Sequence, residues 1–315
     1  MRQILHDWGL RYRTIFTGIS LALLPFITPH DALATNILIF GLFAVGFNLL
    51  FGYLGLLSFG HAAFFGGGAY GAGLAIAHLD MGFLGAVCFG VLLATGLSII
   101  IGIFAIRSKG IYFAMITLAL AQLVYYVFFQ MTSLTGGENG LRGITVKSID
   151  LGYYSINLLN SKEKYYFLFI FVFLALALVS RILKSPFGGA IEAIRENENR
   201  AVACGYNVKV TKYIAFCISG GFCGLAGALY ALHISIVPID ILHYQTSGMV
   251  VMMALLGGMG SFFGPFIGAA IFLLIEDVVG VWTSYWQLVA GVVFILFVLY
   301  FPKGIWGSLV DWARR

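Results

Sequence analysis

Apolar runs long enough to cross a bilayer follow one another along almost the whole chain, at residues 14–29, 33–52, 56–78, 83–106, 110–131, 165–183, 212–234, 246–278 and 285–301. A helix rises about 1.5 Å per residue, so roughly 20 apolar residues cross a hydrocarbon core of about 30 Å. In lipid the backbone N–H and C=O groups must pair within the segment, which makes helices the solution for runs of this length. The expected fold class is all-α, a polytopic transmembrane helical bundle of about eight to ten spans, some broken or re-entrant. Composition agrees, since 61% of residues are hydrophobic and 10% charged, against about a quarter charged in soluble domains. Spans and short loops use up the 315 residues, so one membrane domain over 1–315 is expected, with no separate soluble catalytic unit.

Two of the runs need comment. The first, "TIFTGISLALLPFI", follows Arg11 and Arg13, and "ALA" at 32–34 mimics a signal-peptidase site. Pro25, Pro29 and the apolar segment that follows at once favour an uncleaved first span. The run 246–278 is too long for one simple span, and "GGMGSFFGP" at 257–265 interrupts it. Two segments or a re-entrant hairpin are expected there.

Charge reports orientation. With both termini cytoplasmic, the inside collects Arg2, Arg11, Arg13, Arg107, Lys109, Arg181, Lys184, Arg195, Arg200, Lys209, Lys212, Lys303, Arg314 and Arg315. The outside keeps Arg142, Lys147, Lys162 and Lys164, a split of 14 against 4 among the 18 basic residues. The formal charge of +5 therefore belongs to membrane topology and not to a nucleic-acid partner. Cys88, Cys204, Cys217 and Cys223 have no CxxC spacing, so neither a zinc site nor a disulfide framework is indicated, and no cofactor is expected.

Against this apolar background, the cytoplasmic loop 184–212 concentrates charge: Glu192, Arg195, Glu196, Glu198, Arg200 and Lys209. Ser185 and Pro186 read as N-cap and first helical residue, and Gly205 as the left-handed residue that ends the helix. About 18 helical residues are expected between them, roughly 27 Å long. Ile191, Ile194, Ala201 and Val202 recur on one side, opposite Glu192, Arg195, Glu196 and Asn199, and Glu196 and Arg200 are spaced to pair. A helix lying on lipid would carry mostly Lys and Arg on its polar face. The mixed signs here suit a protein groove, into which the Ile191 and Ile194 stripe would insert.

Glycine interrupts two spans. Gly67, Gly71 and Gly73 fall in "SFGHAAFFGGGAYGAG", and Gly260, Gly264 and Gly268 recur at i, i+4 and i+8. Such residues let helix backbones approach closely, and a pair of Gly-broken segments also points to a transport route. His61, beside Ser58, is the ionisable residue in the middle of the first segment, and a neutral ring bonded to a helix carbonyl is expected. Asn48 and Gln122 read as packing groups. Glu276 and Asp277 fall near a span end, so no central acid supports a proton relay.

Three stretches together resemble the permease subunits of branched-chain amino-acid ABC importers. They are "PFGGAIEAIRENENRAVACGYNVKVTKYIAFCISGGFCGLAGALYAL" at 186–232, "GLLSFGHAAFFGGGAYGAG" at 55–73, and "LLGGMGSFFGPFIGAA" at 255–270 with "FPKGIWG" at 301–307. The resemblance runs from about residue 35 to 307. It implies an inner-membrane, multi-pass subunit working with a second homologous permease, two cytoplasmic ABC ATPases and a periplasmic substrate-binding protein. It also implies that Glu192, Ala193, Ile194 and Gly205 belong to the ATPase-coupling motif, with Ile194 standing where a second Ala is common.

The motif inventory agrees. No GxxxxGK[ST] loop occurs, so nucleotide energy would come from a partner, and "GGENGLRG" at 136–143 lacks the Lys-Ser/Thr pair. HExxH, paired intramembrane aspartates and GxSxG are absent, which argues against an enzyme. The alternatives kept open are urea, short amides or small organic acids as substrate, and a proton-coupled secondary transporter.

Overall fold

The computed structural model describes residues 14–144, 149–150, 155–156, 160–283, 285–301 and 304–308. Arg2, Arg11, Arg13, Lys147, Lys303, Arg314 and Arg315, which enter the charge split above, lie outside the described residues. The helices are α1 (14–22), α2 (Leu24–Ile27), α3 (Asp31–Asn48), α4 (His61–Ala77), α5 (Phe83–Ala105), α6 (Ile111–Gln130), α7 (Thr132–Thr135), α8 (Ser161–Leu183), α9 (Pro186–Glu196), α10 (Glu198–Ala203), α11 (Val208–Ile234), α12 (Tyr244–Gly257), α13 (Gly264–Trp282), α14 (Trp286–Tyr300) and α15 (304–308). A two-stranded ribbon, β1 (Ile149–Asp150) and β2 (Ser155–Ile156), pairs antiparallel with Ile149 opposite Ile156.

Among the described residues, seven helices belong to stretches long and apolar enough to cross a membrane: α3, α5, α6, α8, α11, α13 and α14. The pair α1–α2, the 17-residue α4 and the 14-residue α12 are shorter helices beside these seven. Gly258 to Phe263 split the long run in two: the chain turns at Gly258 and Gly260, whose φ values of 115° and 71° suit glycine.

Burial sorts the helices. The apolar window of α3 is 89% buried and that of α6 is 28% buried, so α3 forms the centre while α6 turns an apolar face outward. A helix apolar on all sides belongs in the interior of a bundle. α4, α5 and α11 pack against one another, with α11 also against α3, and α12 and α13 pack against each other and against α3. The four N-terminal residues of α3 set apart, its lining is dominated by large side chains, with Phe43, Phe47, Leu38 and Leu42 fully buried.

The bundle has two distinct ends. At one, the Lys109 ammonium lies 3.0 Å from a Glu198 carboxylate oxygen, and Asn48 at the end of α3 bonds Gly260 and Ser261 in the α12–α13 turn. At the other, Leu141 pairs with Val237 and the Lys164 ammonium donates to the His233 carbonyl at 3.3 Å. The α9–α10 segment therefore shares its end with the 106–110 loop and the α12–α13 turn.

Candidate functional site

The charged loop folds as two helices, not the expected single one. Asn197 leaves the helical region at φ −159° and ψ 106°, and its side-chain oxygen accepts from the Arg200 amide at 3.0 Å. Asn is among the strongest N-caps, so the residue begins a new helix where periodicity alone would continue the old one. The break also removes the expected Glu196–Arg200 pair. The ion pairs found among the described residues instead join Glu198 to Lys212 at 2.9 Å and to Lys109 at 3.0 Å. The Lys212 hydrogen bond, and after it the one from Lys109, hold the Glu198 carboxyl below its ordinary pKa against the opposing effect of partial burial.

The other end signals behave locally. Ser185 occupies the N-cap position before Pro186, but its hydroxyl donates back to the Ile182 carbonyl at 2.6 Å. Gly205, at φ 87°, ends α10: its amide bonds the Val202 carbonyl and the Tyr206 amide bonds that of Ala201. That pair of bonds is the Schellman arrangement.

The apolar stripe points inward. Ile191 is 0% and Ile194 4% exposed within this one chain, so they fasten α9 to its own bundle and offer no knob to a partner groove. Val202, expected on the same side, is 57% exposed because α10 starts in a new direction after Asn197. Glu192, Arg195, Glu196, Val202, Gly205 and Tyr206 are among the exposed residues of the segment, with Ala193 half-buried. Arg195 is exposed, as its place on the polar face leads one to expect, but its guanidinium reaches across to the end of α3, where Nη1 donates to the Gly52 carbonyl.

The glycines sit in helix packing. A Cβ added at Gly71 would lie 2.8 Å from Gly90 Cα, so α4 and α5 cross backbone to backbone there, whereas one at Gly67 would meet the Leu97 side-chain tip at 2.5 Å. The tighter crossing is Gly68 against Gly224, where an added Cβ would lie 2.6 Å from the Gly224 Cα. Gly264 and Gly268 on α13 face Gly257 and the Met253 carbonyl on α12. Gly260 is not the third member of a helical stripe, because it lies in the turn before α13.

His61 is fully buried where α3, α4 and α11 meet. Its Nε2 is 2.9 Å from Ser219 Oγ and its Nδ1 is 3.2 Å from Ser58 Oγ. Ser219 spends its own proton on the Gly46 carbonyl at 2.6 Å, so it accepts from Nε2–H, and Nδ1 is left as the acceptor for Ser58. The ring thus reaches the Gly46 carbonyl through Ser219.

A cavity of about 1060 Å³ lies between α3, α4, α6, α11, α12, α13 and α14, with Pro238, Asp240 and Gln287 of the end opposite α9 in its lining. Asn36, Phe40, Asp240, Met249, Phe272 and Glu276 are among its walls, and Asn36 Oδ1 is buried without a hydrogen-bond partner. Glu276, which the sequence places near a span end, therefore faces an internal space. Ser58, His61, Gly67, Gly71, Gly260, Gly264 and Gly268 do not line it. Sequence reasoning missed this wall, since its residues are brought together from helices far apart in the chain.

Comparison with known proteins gives the family. Residues 30–298 match the profile of the branched-chain amino acid transport system permease component. The chain is 28% identical over 302 residues to the high-affinity branched-chain amino acid transport system permease protein LivM of Escherichia coli, covering 89% of this chain and 71% of that one. It is 24% identical over 334 residues to the probable LivM of Methanocaldococcus jannaschii, covering 87% and 93%. Among solved structures, the fold resembles a metal-chelate type ABC transporter in an inward-facing conformation, with a TM-score of 0.50, 15% identity, and coverage of 95% of this chain and 100% of that one. The matched region takes in the core helices, the α9–α10 segment and the cavity, and this multi-pass membrane protein belongs to the family of branched-chain amino acid ABC transport system permease components.

Proposed function

We propose that the chain forms half of the translocation route of an importer for branched-chain amino acids. A second homologous permease completes the route, two ABC ATPases drive it, and a periplasmic binding protein delivers substrate. The observation that carries this reading is the family match over residues 30–298, supported by the names of the LivM relatives. The absence of a phosphate-binding loop in the sequence assigns ATP hydrolysis to the partners and leaves this subunit non-catalytic. On the positive-inside rule, the end that carries α9 and α10 faces the cytoplasm, with both termini on that side. The cavity then includes residues of the periplasmic end, where a binding protein releases its cargo.

The ATPase docks on the exposed surface around Val202, Gly205 and Tyr206, with Glu192, Ala193 and Glu196 at its edge. Ile191 and Ile194 set the angle of α9 from below. The test is the whole complex, reconstituted in liposomes with each candidate binding protein and offered leucine, isoleucine and valine beside urea, short amides and small organic acids. Uptake of the aliphatic amino acids alone is expected, and uptake of the others alone rejects the substrate assignment. Val202→Asp should abolish ATPase co-purification, since a charge in an apolar contact costs several kcal/mol. Ile194→Asp should lower the yield of the folded chain itself. An unchanged Val202→Asp complex would move the docking surface elsewhere.

A further inference from the structure

We propose that Arg195 is the positioning residue through which α9 moves the helices that wall the cavity, a claim that rests on the transport reading above. It is the only basic residue of α9, and neither ion pair found among the described residues includes it. Its partners are backbone. The stem passes Gly55, where an added Cβ would lie 3.3 Å from Arg195 Cγ, and Nη1 donates to the Gly52 carbonyl. Gly52 belongs to a π-wound segment, Leu49–Tyr53, that closes α3. Such segments concentrate at functional sites, and carbonyls at a helix C-terminus carry partial negative charge that a guanidinium complements.

The same guanidinium touches a third element. A Cβ added at Gly260 would lie 2.9 Å from Nη1, and one at Gly52 would lie 2.5 Å from the Gly260 nitrogen. Asn48 completes the joint: its Oδ1 accepts from the Gly260 amide at 3.1 Å and its Nδ2 donates to the Ser261 carbonyl at 2.9 Å. Arg195 thus bears at once on the end of α3 and on the turn between α12 and α13. Those three helices form the cavity wall farther along, through Asn36 and Phe40 on α3, Met249 on α12, and Phe272 and Glu276 on α13. A displacement of α9 by a bound ATPase reaches the cavity through this contact.

Two measurements test it. In the reconstituted complex, Arg195→Ala should keep ATPase co-purification and basal hydrolysis but import about tenfold less substrate per ATP, within the usual range of coupling between sites. Arg195→Lys, which keeps one donor and the charge without the planar fork, should recover part of the ratio. In the isolated chain, amide exchange at Gly260 should speed up about tenfold in Arg195→Ala as its packing support goes. An unchanged ratio of import to hydrolysis, or a parallel loss of assembly and hydrolysis, overturns the proposal, and so does unchanged Gly260 exchange. If the native complex transports nothing while Gly260 exchange responds as stated, the transport reading is what has failed.

Discussion

Gly68→Ala is the most informative small perturbation of the bundle. The new methyl carbon would sit 2.6 Å from Gly224 Cα and 2.7 Å from its carbonyl carbon. Carbon atoms pack at about 3.5 to 4.0 Å, so α4 and α11 would have to separate by about 1 Å. No side chain can rotate away, because the obstructing atoms are backbone. The same crossing carries Gly227, whose added Cβ would meet Ala69 N at 3.0 Å, and Gly90, whose added Cβ would meet Ala228 Cβ at 3.0 Å, so a shift would loosen three helices together. Overpacking typically costs about 1 to 3 kcal/mol, and the upper end applies where backbone is the obstacle. The neighbouring Gly67→Ala is the control, since its methyl would meet Leu97 Cδ1, the tip of a side chain that can swing aside, at a cost below about 1 kcal/mol. Reversible unfolding of the purified chain in mixed detergent measures the difference, and about 3 kcal/mol is roughly a hundredfold in the equilibrium. Equal stability of the two variants would refute the argument from backbone proximity.

Further outcomes follow from the same geometry. Because the Glu198 carboxyl is held below its ordinary pKa by Lys212 and then Lys109, its contribution is complete above the usual glutamate range of about 4.3 and disappears as pH falls through the lower folded value. Amide exchange in α10 should therefore accelerate on acidification through that window, and Glu198→Gln should remove the pH dependence; persistence of the dependence in Glu198→Gln would rule the clamp out. In a Cys-free background, Asn199→Cys should react with an impermeant thiol reagent only after the membrane is opened, and Asn139→Cys without opening it. Both side chains are exposed, at opposite ends of the bundle, and the reverse labelling pattern would invert the topology.

What the sequence determined by itself is what depends on local chain physics. Run length against bilayer thickness places the long spans, Gly258 and Gly260 divide the run 246–278, and Gly205 stops α10, because each effect is settled within a few residues. The family resemblance is likewise carried by local motifs. Partners across space are a different matter. The Ile191 and Ile194 stripe says that one side of α9 is buried, but a hydrophobic face is equally satisfied by its own bundle or by another protein, and only the fold decides for the bundle. In Gly66–Gly67–Gly68 each residue turns by about 100° around the helix, so composition cannot say which one meets a backbone, and the position of α11 selects Gly68. Arg195 looks like one more solvated charge in a polar loop until the π-wound segment after α3 brings the Gly52 carbonyl to it, a neighbour 143 positions away in the chain. Such contacts are set by how whole helices pack, and that information is held by no single stretch of residues.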